Sequence, residues 1–256
     1  MRRAALRLEP LVGSVLCARS PAPQAPIGLA GAVDGQVLAG VQSRGKHLLL
    51  HLAGGHTVHS HLRMTGAWHR YEPGAAWTRP ERRAWLVIEA AGVELVQFDG
   101  PVLELLSAGR LALHPGLRRL GPDVLDPGFD PETAVARLRR LRLPTDEAGV
   151  ALLDQSIAAG FGNIARCEAL HRAGIHPFAP LRALTDSELA TAFRAGSQVL
   201  AAGVHGELPR SVYGHRQCRR CGSRVQRRAH GGEGRTAHWC ERCQPLAISP
   251  ISLATI

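Results

Sequence analysis

Lysine is nearly missing from this chain: of its 31 basic residues, Lys46 is the one lysine and the other 30 are arginine. Aromatic residues are scarce at 4%, which argues against a sheet that stacks single-stranded bases on exposed rings. No window approaches the roughly 18 uninterrupted apolar residues of a membrane span. Disorder is excluded from the other side, because 45% of the 256 residues are hydrophobic and the mean hydropathy is −0.05. Acidic residues are the minority charge. With 31 basic against 21 acidic residues the formal net charge is +10 and the pI lies near 10.5. That balance points to a polyanionic partner, nucleic acid first and an anionic membrane surface second.

The scarcity of lysine gives Lys46 weight. An ammonium can lose its proton when its surroundings lower its pKa, and a guanidinium effectively cannot. Chance survival of one lysine against a coding bias is the competing reading.

Six cysteines divide unevenly. Cys17 and Cys167 stand alone and read as small buried hydrophobes. Cys218, Cys221, Cys240 and Cys243 form C-x2-C-x18-C-x2-C, the spacing of two knuckles closing on one tetrahedral, structural Zn²⁺. Two disulfides are the alternative. Within residues 218–243, seven arginines face Glu233 and Glu241, a surplus of 7 − 2 = +5. A hairpin so charged, with a Gly-Gly-Glu-Gly tip at residues 231–234, suits a line of phosphates. A stabilising clip with a solvated surface is the plainer reading.

The start, Met1-Arg2-Arg3 before an apolar stretch from Leu11 to Ala18, has the look of a short targeting peptide. Glu9 and Pro10 interrupt it, however, and Ala4, Ala5, Leu8, Leu11 and Val12 fall at helical spacing. An amphipathic helix in a cytoplasmic protein is the better reading.

Further along, Gln36–Val41, Lys46–Leu52, Thr57–Leu62, Ala84–Glu89 and Val93–Phe98 are short runs rich in Val, Leu and Ile. Asp34-Gly35, Gly54-Gly55 and Ala91-Gly92 punctuate them as turns. The pattern predicts an antiparallel sandwich or barrel. From Asp130 the periodicity becomes helical: a run over Ala134–Leu143, a segment from Asp146 to Ala159, and another opening at Asn163. Thr185-Asp186-Ser187-Glu188 is a capping box for a helix ending near Gly203. After residue 210 the chain is too poor in apolar residues to fold without its metal. The expected divisions are residues 1–115 (β domain), 116–129 (connector), 130–208 (helical domain), 209–244 (zinc finger) and 245–256 (tail).

Two further motifs carry chemistry. Leu152-Leu153-Asp154-Gln155 followed by Gly160-Phe161-Gly162-Asn163 ends one helix, turns tightly and starts the next. Such a turn aims free backbone N–H groups at an anion, although a plain helix–turn–helix packing unit reads the same. Arg44-Gly45-Lys46-His47-Leu48-Leu49-Leu50 puts the lysine at the mouth of a strand, and His61-Leu62-Arg63-Met64-Thr65-Gly66 follows in the paired strand. The histidines there invite a metal-binding reading around His59 and His61. No carboxylate follows at suitable spacing, so that reading is set aside.

Taken in order, R-G-K-H-L-L-L, H-L-R-M-T-G, L-G-P-D-V-L at 120–125, L-L-D-Q-x5-G-x-G-N and a C-terminal four-cysteine hairpin resemble the formamidopyrimidine-DNA glycosylase/endonuclease VIII family. The resemblance runs from about residue 1 to 244. It implies an α+β, multi-domain fold: an N-terminal β-sandwich, a helix–two-turn–helix domain and a zinc-finger β-hairpin. It also implies a bifunctional base-excision repair enzyme, a monomer acting on damaged double-stranded DNA in the bacterial cytoplasm and held at the nucleoid through that DNA. No membrane partner is expected. Lys46 matches the family's proton donor for β-elimination, and Asn163 its phosphate-binding asparagine. Arg235, in Gly234-Arg235-Thr236, matches the arginine that grips the phosphates flanking the lesion and is credited with δ-elimination. Arg63 and Arg119 fall at DNA-contacting positions, and Met64 at the wedge that fills the hole left by the flipped base. Flipping is required because a damaged base and its C1′ are out of reach inside a stacked duplex.

Two departures qualify the match. Where formamidopyrimidine glycosylases carry an Asp-x-Arg-Arg-Phe-Gly-like loop, this chain has Gln97-Phe98-Asp99-Gly100-Pro101. That favours the endonuclease VIII branch, whose usual substrates are oxidised pyrimidines. Family members also begin Met-Pro-Glu, the proline amine attacking C1′. This chain begins Met1-Arg2-Arg3-Ala4-Ala5, like the middle of the family's first helix. Three readings follow: a glycosylase/AP lyase whose start lies upstream, a lesion- or abasic-site-binding protein without the nucleophile, and a generic zinc-ribbon nucleic-acid-binding module.

Overall fold

The computed structural model describes residues 1–231 and 234–246. The middle of the glycine-rich tip and most of the expected tail lie outside the described residues. Two compact units result, Met1–Arg119 and Leu120–Ile256. Among the described residues no helix is long and apolar enough to cross a membrane.

The first unit opens with α1 (Arg2–Leu8), which buries Ala4, Ala5 and Leu8. Leu11 is buried in the 3₁₀ turn that follows. Val12 is 40% exposed, contrary to the helical spacing, because the chain leaves the turn in an extended conformation there. Next come β1 (Cys17–Arg19), α2 (Leu29–Val33), β2 (Leu38–Arg44), β3 (His47–Leu52), β4 (His56–His61), β5 (Ala67–Tyr71), β6 (Ala84–Ala90), β7 (Val93–Phe98) and β8 (Val102–Ser107), then α3 (Ala108–Leu113) and α4 (Pro115–Arg118). The strands form two antiparallel sheets, ordered β1-β6-β7-β5 and β2-β3-β4-β8. Leu48, Leu50 and Leu52, alternate residues of β3, meet Leu86, Ile88 and Leu95 in the core between them, as period-two patterning requires. This is the predicted sandwich. The three strands that the sequence pattern missed, β1, β5 and β8, are all edge strands, where half the backbone lacks a partner and polar residues blur the alternation. Cys17, expected to be buried, lies exposed on one of them.

In the second unit Asp130 caps α5 (Pro131–Leu141) by accepting from the N–H groups of Glu132 and Thr133. A single turn, α6 (Ala148–Ala151), is all the helix that forms in the predicted 146–159 segment. Asp154 accepts from the Ser156 N–H, and Gln155 ties Leu153, Gly160 and Phe161 together. Such local side-chain bonds compete with the helical ladder. Then follow α7 (Asn163–Ala173), α8 (Asp186–Val204), and a hairpin of β9 (Gln226–His230) and β10 (Arg235–Trp239). The Thr185–Glu188 capping box forms as predicted. Phe161, Leu170, Leu189 and Phe193 centre the helical core.

The cysteine segment is more than an appendage. Glu168 of α7 accepts N–H bonds from Ser211, Val212 and Tyr213 at 2.7, 3.0 and 2.8 Å. Cys167 accepts from the His238 N–H, and His171 Nε2 sits 3.3 Å from the Cys218 sulfur. Helix α7 is therefore the floor on which the hairpin is laid.

Candidate nucleic-acid interface

In the first unit, Gly45 and Lys46 form the two-residue loop between β2 and β3, with Arg44 paired to His47 across it. Gly45 has φ +58, which a two-residue hairpin loop demands at that point. One strand over, β4 ends at His61 and the chain curls back so that the Gly66 N–H reaches the Leu62 carbonyl at 2.9 Å. A Cβ on Gly66 would meet that carbonyl oxygen at 2.8 Å, so the turn needs glycine. Arg63 takes a left-handed backbone at its start, and Met64, 92% exposed, occupies its tip. His47 pairs with His61, so the register sets Lys46 and the Met64 turn at the same end of one sheet. Arg119 is exposed at the C-cap of α4.

In the second unit, Asn163 is the first residue of α7 after the Gly160–Gly162 turn. Its carbonyl oxygen accepts from Arg166, and its amide donates to the Thr236 carbonyl at 2.9 Å. Thr236 follows Arg235 on β10, so the asparagine joins α7 to the strand that carries that arginine. Arg166 is fully buried and also donates to the Gly149 carbonyl and faces His230 Nδ1. His230 is held in turn by Glu147 at 2.7 Å. The motif reading overlooked this network. Its signal was the three-residue spacing of Asn163 and Arg166, neighbours on one helical face.

The four cysteines have their sulfurs within 4.8 Å of one another. Cys218–Cys243 and Cys221–Cys240 are 3.9 and 3.5 Å apart, bracketing the roughly 3.8 Å edge of a tetrahedron with metal–sulfur bonds of about 2.3 Å. The residues fit a metal ion.

The histidine cluster needs a correction. It lies on the face of sheet β2-β3-β4-β8 turned away from the core, and the carboxylate missing from the local sequence arrives from β8. Glu104 is the cross-strand partner of His59, and its Oε1 is 2.7 Å from His59 Nδ1 and 3.1 Å from His114 Nε2. His47 Nδ1 stands 2.8 Å from His59 Nε2. Burial, reinforced by the neighbouring imidazoles and Arg44, holds His47 down at about 3. Burial and the charges of Arg63 and Lys46 hold His61 down at about 4. Both rings are neutral near pH 7.

Residues 11–101 match the formamidopyrimidine-DNA glycosylase N-terminal domain, and residues 120–211 the H2TH domain of the same enzyme. A "Probable endonuclease 8 2" of Streptomyces coelicolor is 35% identical over 226 residues, which cover 83% of this chain and 80% of that protein. The chain belongs to the formamidopyrimidine-DNA glycosylase/endonuclease 8 family. Another relative in this family, the endonuclease 8 of Escherichia coli, is 33% identical over 82% of the chain and 84% of its own length. Among solved structures, the Lactococcus lactis formamidopyrimidine DNA glycosylase non-covalently bound to DNA containing an AP site matches with a TM-score of 0.77 and 25% identity, covering 95% of this chain and 97% of that one. The same Lactococcus enzyme with a DNA containing N7-benzyl-Fapy-dG shares the fold, with a TM-score of 0.78 at 24% identity, over 95% and 97% of the two chains.

Proposed function

We propose that this family member is a bifunctional DNA glycosylase/AP lyase of base-excision repair, which removes oxidised bases from duplex DNA and nicks at abasic sites by β(δ)-elimination. The observation that carries the reading is the shared end of sheet β2-β3-β4-β8, where the sole lysine and a 92% exposed methionine stand at neighbouring turns. An apolar side chain held out on a glycine-dependent turn can enter a base stack and fill the space of an extruded nucleotide. An amine beside it supplies the proton transfer of the first, β-elimination, since an ammonium can lose its proton and a guanidinium effectively cannot.

In this reading Lys46 is the proton donor and Met64 the wedge, while the amine that attacks C1′ is the family's N-terminal proline, to which no residue of this sequence corresponds. Arg63 and Arg119 contact the DNA, and Asn163 its phosphates. Arg235 grips the phosphates beside the lesion and assists the second elimination. The cysteines hold one structural Zn²⁺, whose role is to keep the Arg235 strand in shape. The protein works as a monomer in the cytoplasm, on DNA of the nucleoid.

The test compares an abasic-site duplex with the same duplex intact, scoring both binding and strand nicking. The protein should bind the abasic duplex at least tenfold more tightly. Met64→Ala should erode that preference without changing the melting temperature, and Lys46→Ala should lose nicking while keeping affinity. Equal affinity for the two duplexes would reduce the protein to a general nucleic-acid-binding module. Preference without nicking would make it a lesion-binding protein.

A further inference from the structure

We infer that His59, Glu104 and His114 form a second divalent-cation site, distinct from the four cysteines and suited to Zn²⁺. Three donor atoms from three elements, β4, β8 and the N-cap of α4, lie within 4.8 Å of one another. Two imidazole nitrogens and a carboxylate oxygen are a donor set that zinc takes in three-ligand sites, leaving one position for water. The Glu104 ion pairs are to these two imidazoles.

The distances are those of a site waiting to open slightly. Glu104 Oε1 is 2.7 and 3.1 Å from the two nitrogens, against about 3.3 Å for donors around a tetrahedral ion with bonds near 2.0–2.1 Å. The Glu104 oxygen would have to move out by about 0.6 Å from His59 and about 0.2 Å from His114. The surroundings suit the tautomer required at His59, and that at His114 needs a proton shift. A metal-bound imidazole carries its proton on the far nitrogen and donates it to a fixed partner. For His59 the far nitrogen faces His47 Nδ1 at 2.8 Å. For His114 the far nitrogen now accepts from the Leu117 N–H. Metal binding through Nε2 moves the ring proton to this nitrogen, so the ring must turn away from the Leu117 N–H, which keeps the His114 carbonyl at 3.1 Å as its acceptor. Gly116 leaves room beside the ring, since a Cβ there would come within 3.1 Å of His114 Cε1.

The consequence reaches the DNA-binding reading. An ion at this point ties α4 to the outer face of the sheet, and the C-cap of α4 is Arg119. His47, which backs His59, follows Lys46 directly in the chain. The ion therefore braces the sheet end that carries the lysine.

The experiment counts metal on the full-length chain. Protein saturated with Zn²⁺ and dialysed against metal-free buffer should hold two zinc ions, and Glu104→Gln and His114→Ala should each hold one. With Co²⁺ in place of zinc, the four-cysteine site gives sulfur-to-metal charge-transfer bands. The difference spectrum between wild type and Glu104→Gln should show ligand-field bands without them. One zinc per wild-type chain overturns the proposal whatever the variants do. So does a second ion that survives both substitutions, or a difference spectrum with sulfur character.

Discussion

Asn163 is committed at both ends of its amide, to Arg166 and to the Thr236 carbonyl, and this sets what a substitution there does. Asn163→Asp keeps an acceptor for Arg166, loses the donor to Thr236 and adds a negative charge. The protein should fold, yet bind duplex at least tenfold more weakly, about 1.4 kcal/mol; a filter-binding titration at fixed salt decides, and undiminished affinity would take Asn163 away from the phosphates. Arg235→Ala acts differently, since it removes a charge. Its log affinity against log salt should lose about one unit of slope, with little regard to sequence. A parallel line displaced downward would mean that Arg235 shapes the hairpin and touches no phosphate. The polar residues of this region were legible as a motif, because Gly-x-Gly-Asn is local. The partner that fixes Asn163 was legible only by its spacing. Glu104 was not legible at all, since strand pairing brings it opposite His59 from 45 residues away.

Among elements, the packing of α7 against α8 turns on Gly196. A Cβ there would overlap the Phe161 ring and approach the Ala169 Cβ at 3.3 Å. Phe161 is fully buried and stacked edge-on against Phe193, so it has nowhere to retreat. Gly196→Ala should therefore destabilise the protein by about 1–3 kcal/mol despite the gain in helix propensity. Urea unfolding measures it, and a neutral or stabilising result would show that the helices have slack. The hairpin is the opposite case, with a core of little beyond Val212, Val225 and the cysteines. Chelation, or Cys240→Ser, should release metal and abolish tight DNA binding while the sandwich keeps its strand signal in circular dichroism. Retained affinity in the metal-free protein would contradict this. Core strands such as β3, β6 and β7 were readable because burial on both faces leaves continuous Val, Leu and Ile runs. The single turn of α6 was misread as a long helix because Asp154 and Gln155 satisfy the loop through side chains, which apolar periodicity does not register.

For the whole molecule, a surplus of +10 favours DNA and works against compaction, and lower pH sharpens the conflict by removing carboxylates. Asp99 is the clearest case. Hydrogen bonds from Arg83 and Arg79 hold its carboxyl below the ordinary carboxylate range, against the opposing effect of burial. The folded state thus binds the proton less readily than the unfolded one. Its stabilisation is complete above the unfolded pKa of about 3.9 and is lost as pH falls through the lower folded value. Asp99→Asn should flatten the acid limb of a melting-temperature profile; an unaltered limb would place acid sensitivity elsewhere. The floor beneath the hairpin has a consequence for solubility. What α7 presents there is Arg166, Cys167, Glu168 and His171, largely groups that water hydrates well. A chain stripped of its metal uncovers this largely wettable face, with the Phe178 ring as its main apolar patch. It should stay dispersed, ready to be reloaded, where a protein with an apolar seam in the same position would precipitate.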